Sequence, residues 1–203
     1  MQKITNKMYS KLPNLVMGFH GCSDDTYQAV LFNNQHLKRS ENKYDWLGNG
    51  IYFWENSYER AVEWATEKYG DSGMVIGAIL DLGNCLNLTD YHSTAVLKLG
   101  YELLAIHYEN VNRELPKNTN GRSAIDLLAR NLDCAVIQEI HKYNELSGNE
   151  MYDSVRGVFI EGGEVYPGSG FVEKTHTQIC IVNPNCIKGY FAPREMVDGY
   201  GMP

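Results

Sequence analysis

Cysteine is scarce in this 203-residue chain. The five that occur, Cys22, Cys85, Cys134, Cys180 and Cys186, are odd in number, widely spaced and without a Cys-x-x-Cys pair. Structural zinc and a disulfide framework are therefore not expected, and a reducing compartment is. Long apolar runs are missing too, so no segment reaches the roughly 20 residues that span a bilayer. The first seven residues are polar and mixed rather than a basic region followed by an apolar block, which excludes a secretory signal and leaves a cytoplasmic reading with no membrane partner. Positive charge is outweighed: 18 Lys and Arg against 25 Asp and Glu give a net charge of −7. That balance argues against broad attraction to nucleic acid, whose phosphates demand clustered cations. Arg113, Lys117, Arg122 and Arg130 form a local basic scatter of the kind that is ordinarily solvated surface. Among the six histidines no His-x-x-x-His or His/Cys cluster occurs, so no metal is expected; His36 falls in a polar connection, and His92, His107 and His141 lie on or near expected helices. Internal repeats and low-complexity tracts are absent.

What is present is a globular composition, 43% hydrophobic and 21% charged, in a length that suits one domain with a full core. Residues 15–19 read as a strand ending at His20, and residues 24–32 as a short helix capped by Ser23, Asp24 and Asp25. The polar connection 33–50 is long for a compact domain, a length that commonly marks function. Residues 56–69 show helical spacing at Tyr58, Ala61, Val62, Ala65 and Tyr69, with Asn56 and Glu59 as a weak capping box and Gly70 as the stop. Residues 74–82 read as a buried strand. Two longer helices follow, one with Val96, Gly100, Leu103, Leu104, His107 and Val111 on a face, the other with Ile125, Leu128, Ala129, Leu132, Val136 and Ile140. Strands return at 155–161 and 177–182 around a Gly-rich loop at 162–171. Strands, then helices, then strands predict an α+β domain.

Chemistry concentrates in three separated places. Gly18-Phe19-His20-Gly21-Cys22-Ser23 ends the first strand. Gly48-Asn49-Gly50 then lets the backbone turn and approach a ligand before Ile51-Tyr52-Phe53-Trp54 resumes as an aromatic strand. The third place is Thr175-His176-Thr177-Gln178-Ile179-Cys180-Ile181-Val182-Asn183-Pro184. In content and order these resemble the ADP-ribosyltransferase superfamily, in its PARP-like and diphtheria-toxin-like branch. That branch carries a His-Gly strand end, then Gly-x-Gly-Ile-Tyr-Phe before a helix, then a strand opening with Glu, Gln or another residue. The resemblance implies a split antiparallel sheet with an inserted helical segment, its two packed sheets holding NAD in the cleft between them, over a single domain of residues 1–203. It places His20 on the adenosine ribose, the Gly21 backbone on the nicotinamide carboxamide, and Tyr52 against the nicotinamide ring. Cys22 and Gly50 join these cofactor-binding positions. A second aromatic wall falls to Tyr58 or Trp64.

Transfer of ADP-ribose breaks the bond between nicotinamide and ribose through an oxocarbenium-like state. The leaving group already carries the positive charge, so gripping and distorting NAD is the main task. Gln178 stands where polymer-forming members carry Glu; it can hydrogen-bond but cannot take a proton, so chain elongation is not expected. For deprotonating an acceptor, Glu173 is the carboxylate nearest in the chain, with Glu164 and His176 as weaker choices. The expected activity is that of an NAD-dependent mono-ADP-ribosyltransferase acting on a protein or nucleic acid. By analogy it suits an intracellular toxin or defence effector restrained by an inhibitory or antitoxin partner. An NAD glycohydrolase, an RNA 2′-phosphotransferase and a non-catalytic module that binds NAD or ADP-ribose are the competing readings.

Overall fold

The longest strand, β1 (Leu15–Ser23), organises the fold because it pairs antiparallel with β3 (Gly73–Asp81) along its whole length, from Leu15↔Asp81 to Ser23↔Gly73. These elements belong to a computed structural model that describes residues 15–119 and 129–201. Between them come α1 (Asp24–Leu31), β2 (Ile51–Glu55) and α2 (Tyr58–Tyr69). After β3 follow β4 (Cys85–Asn87), α3 (Ser93–Asn110), the two-residue strands β5 (Asn118–Thr119) and β6 (Ala129–Arg130), and α4 (Asn131–Ser147). The chain closes with β7 (Ser154–Phe159), β8 (His176–Ile181) and β9 (Ile187–Phe191). The α+β class and the helical insertion between strands are as the sequence predicts.

Apart from β5 and β6, which pair only with each other, the described strands form one seven-stranded sheet, in the order β4-β7-β8-β2-β1-β3-β9, where two packed sheets are expected from the resemblance. All its pairings are antiparallel except that of β4 with β7. The two halves are joined narrowly, since β1 and β2 pair only at Gly18↔Glu55 and Phe19↔Trp54. Alternation of side chains sets the layers. On one face Ile51, Phe53, Ile76, Leu80, Ile179 and Ile181 pack with Val30 of α1 and with Leu37. On the other, Val155, Phe159 and Cys180 meet Leu104 of α3 and Val136, Ile137 and Ile140 of α4, while Trp54 and Val75 meet Ala61 of α2.

Several boundaries move. β1 continues past His20 to Ser23, because β3 offers it partners that the apolar pattern does not reveal. Helix α2 begins at Tyr58, and no side-chain cap bond forms at Ser57, so the Asn56–Glu59 box is not made; Asn56 has φ 50° and turns the chain instead. The second long helix begins at Asn131, and Ala129 lies in β6. Ile125, Leu128 and Arg122 fall outside the described residues. β4 and β9 are short and gain their identity only from neighbours, β7 and β3. Among the described residues no helix is long and apolar enough to cross a membrane.

His141 of α4 is buried beside Tyr152, and neither ring nitrogen has a hydrogen-bond partner among the described residues. Burial, and secondarily the charge of Arg39, hold its imidazole below the ordinary value. Burial has the same effect on His20 and His176. Protons therefore bind the unfolded chain better, and this contribution to stability is complete above about pH 6.5 and lost as pH falls from there toward the lowered folded values. Denaturant midpoints should be lower at about pH 5 than at about pH 7.5, and His141→Leu should narrow the gap. An unchanged gap would show that His141 is not held neutral.

Candidate functional site

Where the β1–β2 ladder stops, a cleft of about 980 Å³ opens. The stop has a visible cause. Asn56 donates its N–H to Met17 O at 3.0 Å, so the amides and carbonyls of Met17, Phe19 and Gly21 face β2. A continued ladder would pair Gly21 with Tyr52. Instead, Nδ1 of His20 donates to Tyr52 O at 2.7 Å, and the pairing ends at Phe19↔Trp54. The His20 ring thereby occupies a backbone partner, and the polar groups of Gly21 are left facing the break. Because Nδ1 carries the hydrogen and burial disfavours protonation, Nε2 is an acceptor.

The break also lets side chains from both faces of the sheet meet. His20 shares the face of Phe53, and Tyr52 and Gln178 belong to the opposite one, yet all line the cleft. The Tyr52 hydroxyl accepts from Leu47 N–H at 2.8 Å and donates to Gly48 O at 2.7 Å, and burial pushes its pKa upward. That hydroxyl is committed to the turn, and the ring is what Tyr52 offers the cleft. Gly48 has φ 80°, a conformation glycine adopts without a Cβ penalty. A Cβ on Gly50 would fall 2.4 Å from Cys180 Sγ, so this position is glycine because β8 lies against it. Gly21 is constrained likewise, by Ala61 O at 2.7 Å and Trp64 at 2.9 Å from a built Cβ.

Of the two aromatic candidates on α2, Trp64 lines the cleft and Tyr58 does not; Tyr58 packs edge-on against Phe19 at 5.6 Å. Lys68 lies over the Trp64 ring, 4.5 Å from its centre. Gln178 is fixed through its amide nitrogen, which donates to Nε2 of His176 at 3.0 Å; His176 in turn donates from Nδ1 to Lys174 O at 2.7 Å. The amide oxygen of Gln178 is thus the atom left to accept a hydrogen bond. Cys22 borders the cleft, but its thiol is packed in the core and burial pushes its pKa up to about 11, so it is a wall rather than a nucleophile.

Glu173 is not among the cleft residues. Its N–H closes the loop on Gly163 O, and its side chain is exposed. Glu164 accepts from Gly168 N–H within the same loop. The carboxylate that does line the cleft beyond β7 is Glu161, bound by Arg60 at 2.6 Å; Arg60 also pairs with Glu63, which pairs with Lys174. Sequence reasoning missed Arg60, Lys68 and Glu161. The first two stand four residues either side of Trp64, on its helical face, and that spacing is a signal that identifies them once Trp64 is chosen. Glu161 carries no such signal. The connection 33–50 borders the cleft as expected, bringing Lys38, Arg39, Asp45 and Trp46. Among the described residues no group of three His, Cys, Asp or Glu is placed to hold a metal.

Removing the Tyr52 hydroxyl strands Leu47 N–H and Gly48 O while keeping the ring. Tyr52→Phe should lower unfolding free energy by about 1–3 kcal/mol in denaturant titration, and unchanged stability would show that the hydroxyl does not hold the turn. Comparison of the chain with family models, with curated proteins and with solved structures finds no match.

Proposed function

We propose that the protein is an NAD-dependent mono-ADP-ribosyltransferase with an ADP-ribosyltransferase-like fold, which modifies a protein or nucleic acid acceptor. The observation that carries this reading is the meeting of three sequence-distant motifs at one break in the sheet: His20-Gly21, the Gly48–Trp54 segment and Gln178. The cleft fits a dinucleotide in volume, lying within the roughly 300–1,000 Å³ usual for ligand sites. Its charges fit as well. Lys38, Arg39 and Lys68 line it without a carboxylate partner among the described ion pairs and can meet a diphosphate, although Asp25, Asp45 and Glu67 share the lining.

In this reading His20 Nε2 accepts from a hydroxyl of the adenosine ribose, and the Gly21 backbone meets the nicotinamide carboxamide. Tyr52 and Trp64 supply apolar ring surfaces for nicotinamide, and Gln178 accepts from a hydroxyl of its ribose. NAD supplies the reactive bond, between ribose C1′ and a cationic ring nitrogen that leaves as neutral nicotinamide. An acceptor oxygen or nitrogen then bonds to C1′ and gives up its proton. Gln178 cannot take that proton; Glu161 is a half-buried carboxylate in the cleft lining, held in place by its ion pair with Arg60. A non-catalytic NAD-binding module is the second reading, favoured by the amide at position 178 being tied to His176 with no carboxylate in its place.

Incubation with NAD labelled in its adenosine half and a cell extract should transfer label to macromolecules. Protease or nuclease sensitivity then names the acceptor. NAD binding without label transfer or nicotinamide release would support the binding module; rapid nicotinamide release alone would indicate hydrolysis. Gln178→Ala should weaken transfer about tenfold, the worth of one good hydrogen bond. Glu161→Gln should reduce transfer at unchanged NAD affinity while Glu173→Gln leaves it intact, and the reverse pattern would move the proton acceptor to the loop. Arg39→Ala should weaken NAD binding and flatten its salt dependence, both read by calorimetry.

A further inference from the structure

A second cavity, of about 790 Å³, lies on the α3–α4 face of the sheet and has no part in the proposed reaction. Its inner walls are aliphatic, with Leu97 from α3 and Leu132, Val136 and Ile137 from the start of α4. At one end Trp46 and Phe159 stand 4.2 Å apart between ring centres, and the Arg130 guanidinium lies 4.6 Å over the first and 5.2 Å over the second. This end is braced rather than loose, because Phe159 is buried in β7 and Arg130 is 3.6 Å from Asp133, whose other oxygen accepts from Asn118. Well-packed interiors do not keep voids of this size, and a braced apolar hollow with few polar groups is the form of a ligand site.

The polar groups of the lining point to the class of ligand. Lys98 and Glu102 come from α3, Arg130 and Asp133 from the base of α4, so two cations face two carboxylates and the charge balances. An anion or a cation gains little there. An uncharged planar ring system with donors and acceptors along its edge gains stacking against Trp46, Phe159 and Arg130 as well as hydrogen bonds. We propose that this cavity is a second binding site, separate from the cleft, for a neutral planar aromatic molecule. Trp46 lines both cavities and forms the partition between them. The inference rests on the cavity and not on the NAD reading.

The test is a titration of the intact protein with prodan, a neutral planar fluorophore whose emission shifts to the blue in apolar surroundings. Saturable binding at a single site is expected. Leu97→Trp, which fills the cavity from its wall, should weaken it by at least tenfold, and Arg130→Met, which keeps the packing but removes the cation, by about tenfold. Trp64→Ala and saturating NAD should leave it unchanged. Should Leu97→Trp lose native near-ultraviolet circular dichroism, Arg130→Met decides. Absence of saturable binding overturns the proposal. So does a probe that Trp64→Ala or NAD displaces while Leu97→Trp and Arg130→Met retain it, since that probe sits in the cleft.

Discussion

One hydrogen bond, from the His20 ring to the carbonyl of Tyr52, decides what this sheet becomes. An antiparallel pair gains by zipping until a side chain or a turn stops it, and the next rung here would join Gly21 to Tyr52. By placing a ring nitrogen on that carbonyl, the chain satisfies the Tyr52 acceptor and still withholds the rung, leaving only the Gly21 groups facing the break. Beyond the break β1 follows β3 and β2 follows β8, and the sheet opens between two blocks that remain hydrogen-bonded on their outer sides. The glycines support the same geometry from behind. Gly18 lets Phe53 and Leu80 close beneath the joint, and Gly21 lets α2 lie against the opened edge.

The opened edge determines which chemistry is available. A continuous sheet keeps its two faces apart, and His20 and Tyr52 would never share a ligand. At the break they do, with Trp64 overhead and Gln178 one strand further on. Most of the acid–base capacity of the site is already neutralised internally. His20 and His176 are kept uncharged by burial, Arg60 and Lys174 share Glu63, and Arg60 also holds Glu161. The cations without an ion-pair partner among the described residues lie on the connection and on the end of α2, at Lys38, Arg39 and Lys68, and they share the lining with Asp25, Asp45 and Glu67. Such a site is equipped to hold a polyanion and two rings, and poorly equipped for general acid chemistry, which matches a reaction whose leaving group needs no proton.

Much of this was legible in the sequence where the cause is local. Gly48-Asn49-Gly50 announces a turn, the aromatic run Ile51–Trp54 a strand, the spacing of Tyr58, Ala61 and Ala65 a helix, and the structure has each. His20, Tyr52 and Gln178 lie beside one cleft, as the resemblance implies, whereas the choice of Trp64 over Tyr58 needed the packing of Tyr58 on Phe19. What was not legible depends on pairing between distant segments. β4 and β9 are strands only because β7 and β3 lie beside them, and the single sheet in place of two follows from two residue pairs that no pattern encodes. Glu161 could not be distinguished from Glu173 in the sequence. Both flank the same glycine-rich loop, and only the ion pair with Arg60, 101 residues away, turns one of them into the cleft.

His20 serves structure and proposed function through different atoms, and this separates two roles that a simple truncation would confound. Nδ1 holds the break open and Nε2 is the acceptor facing outward from that bond. Loss of the whole ring frees the Tyr52 carbonyl for Gly21 N–H, so the ladder can close by a rung and cover the very backbone groups that a carboxamide would use. The same logic applies to Gln178, whose nitrogen is fixed by His176 and whose oxygen is left to the cleft. In both residues one polar atom is committed to the scaffold and its counterpart is thereby aimed. Preorganisation of this kind lowers the ordering cost on binding, because the orientation is fixed before any ligand arrives.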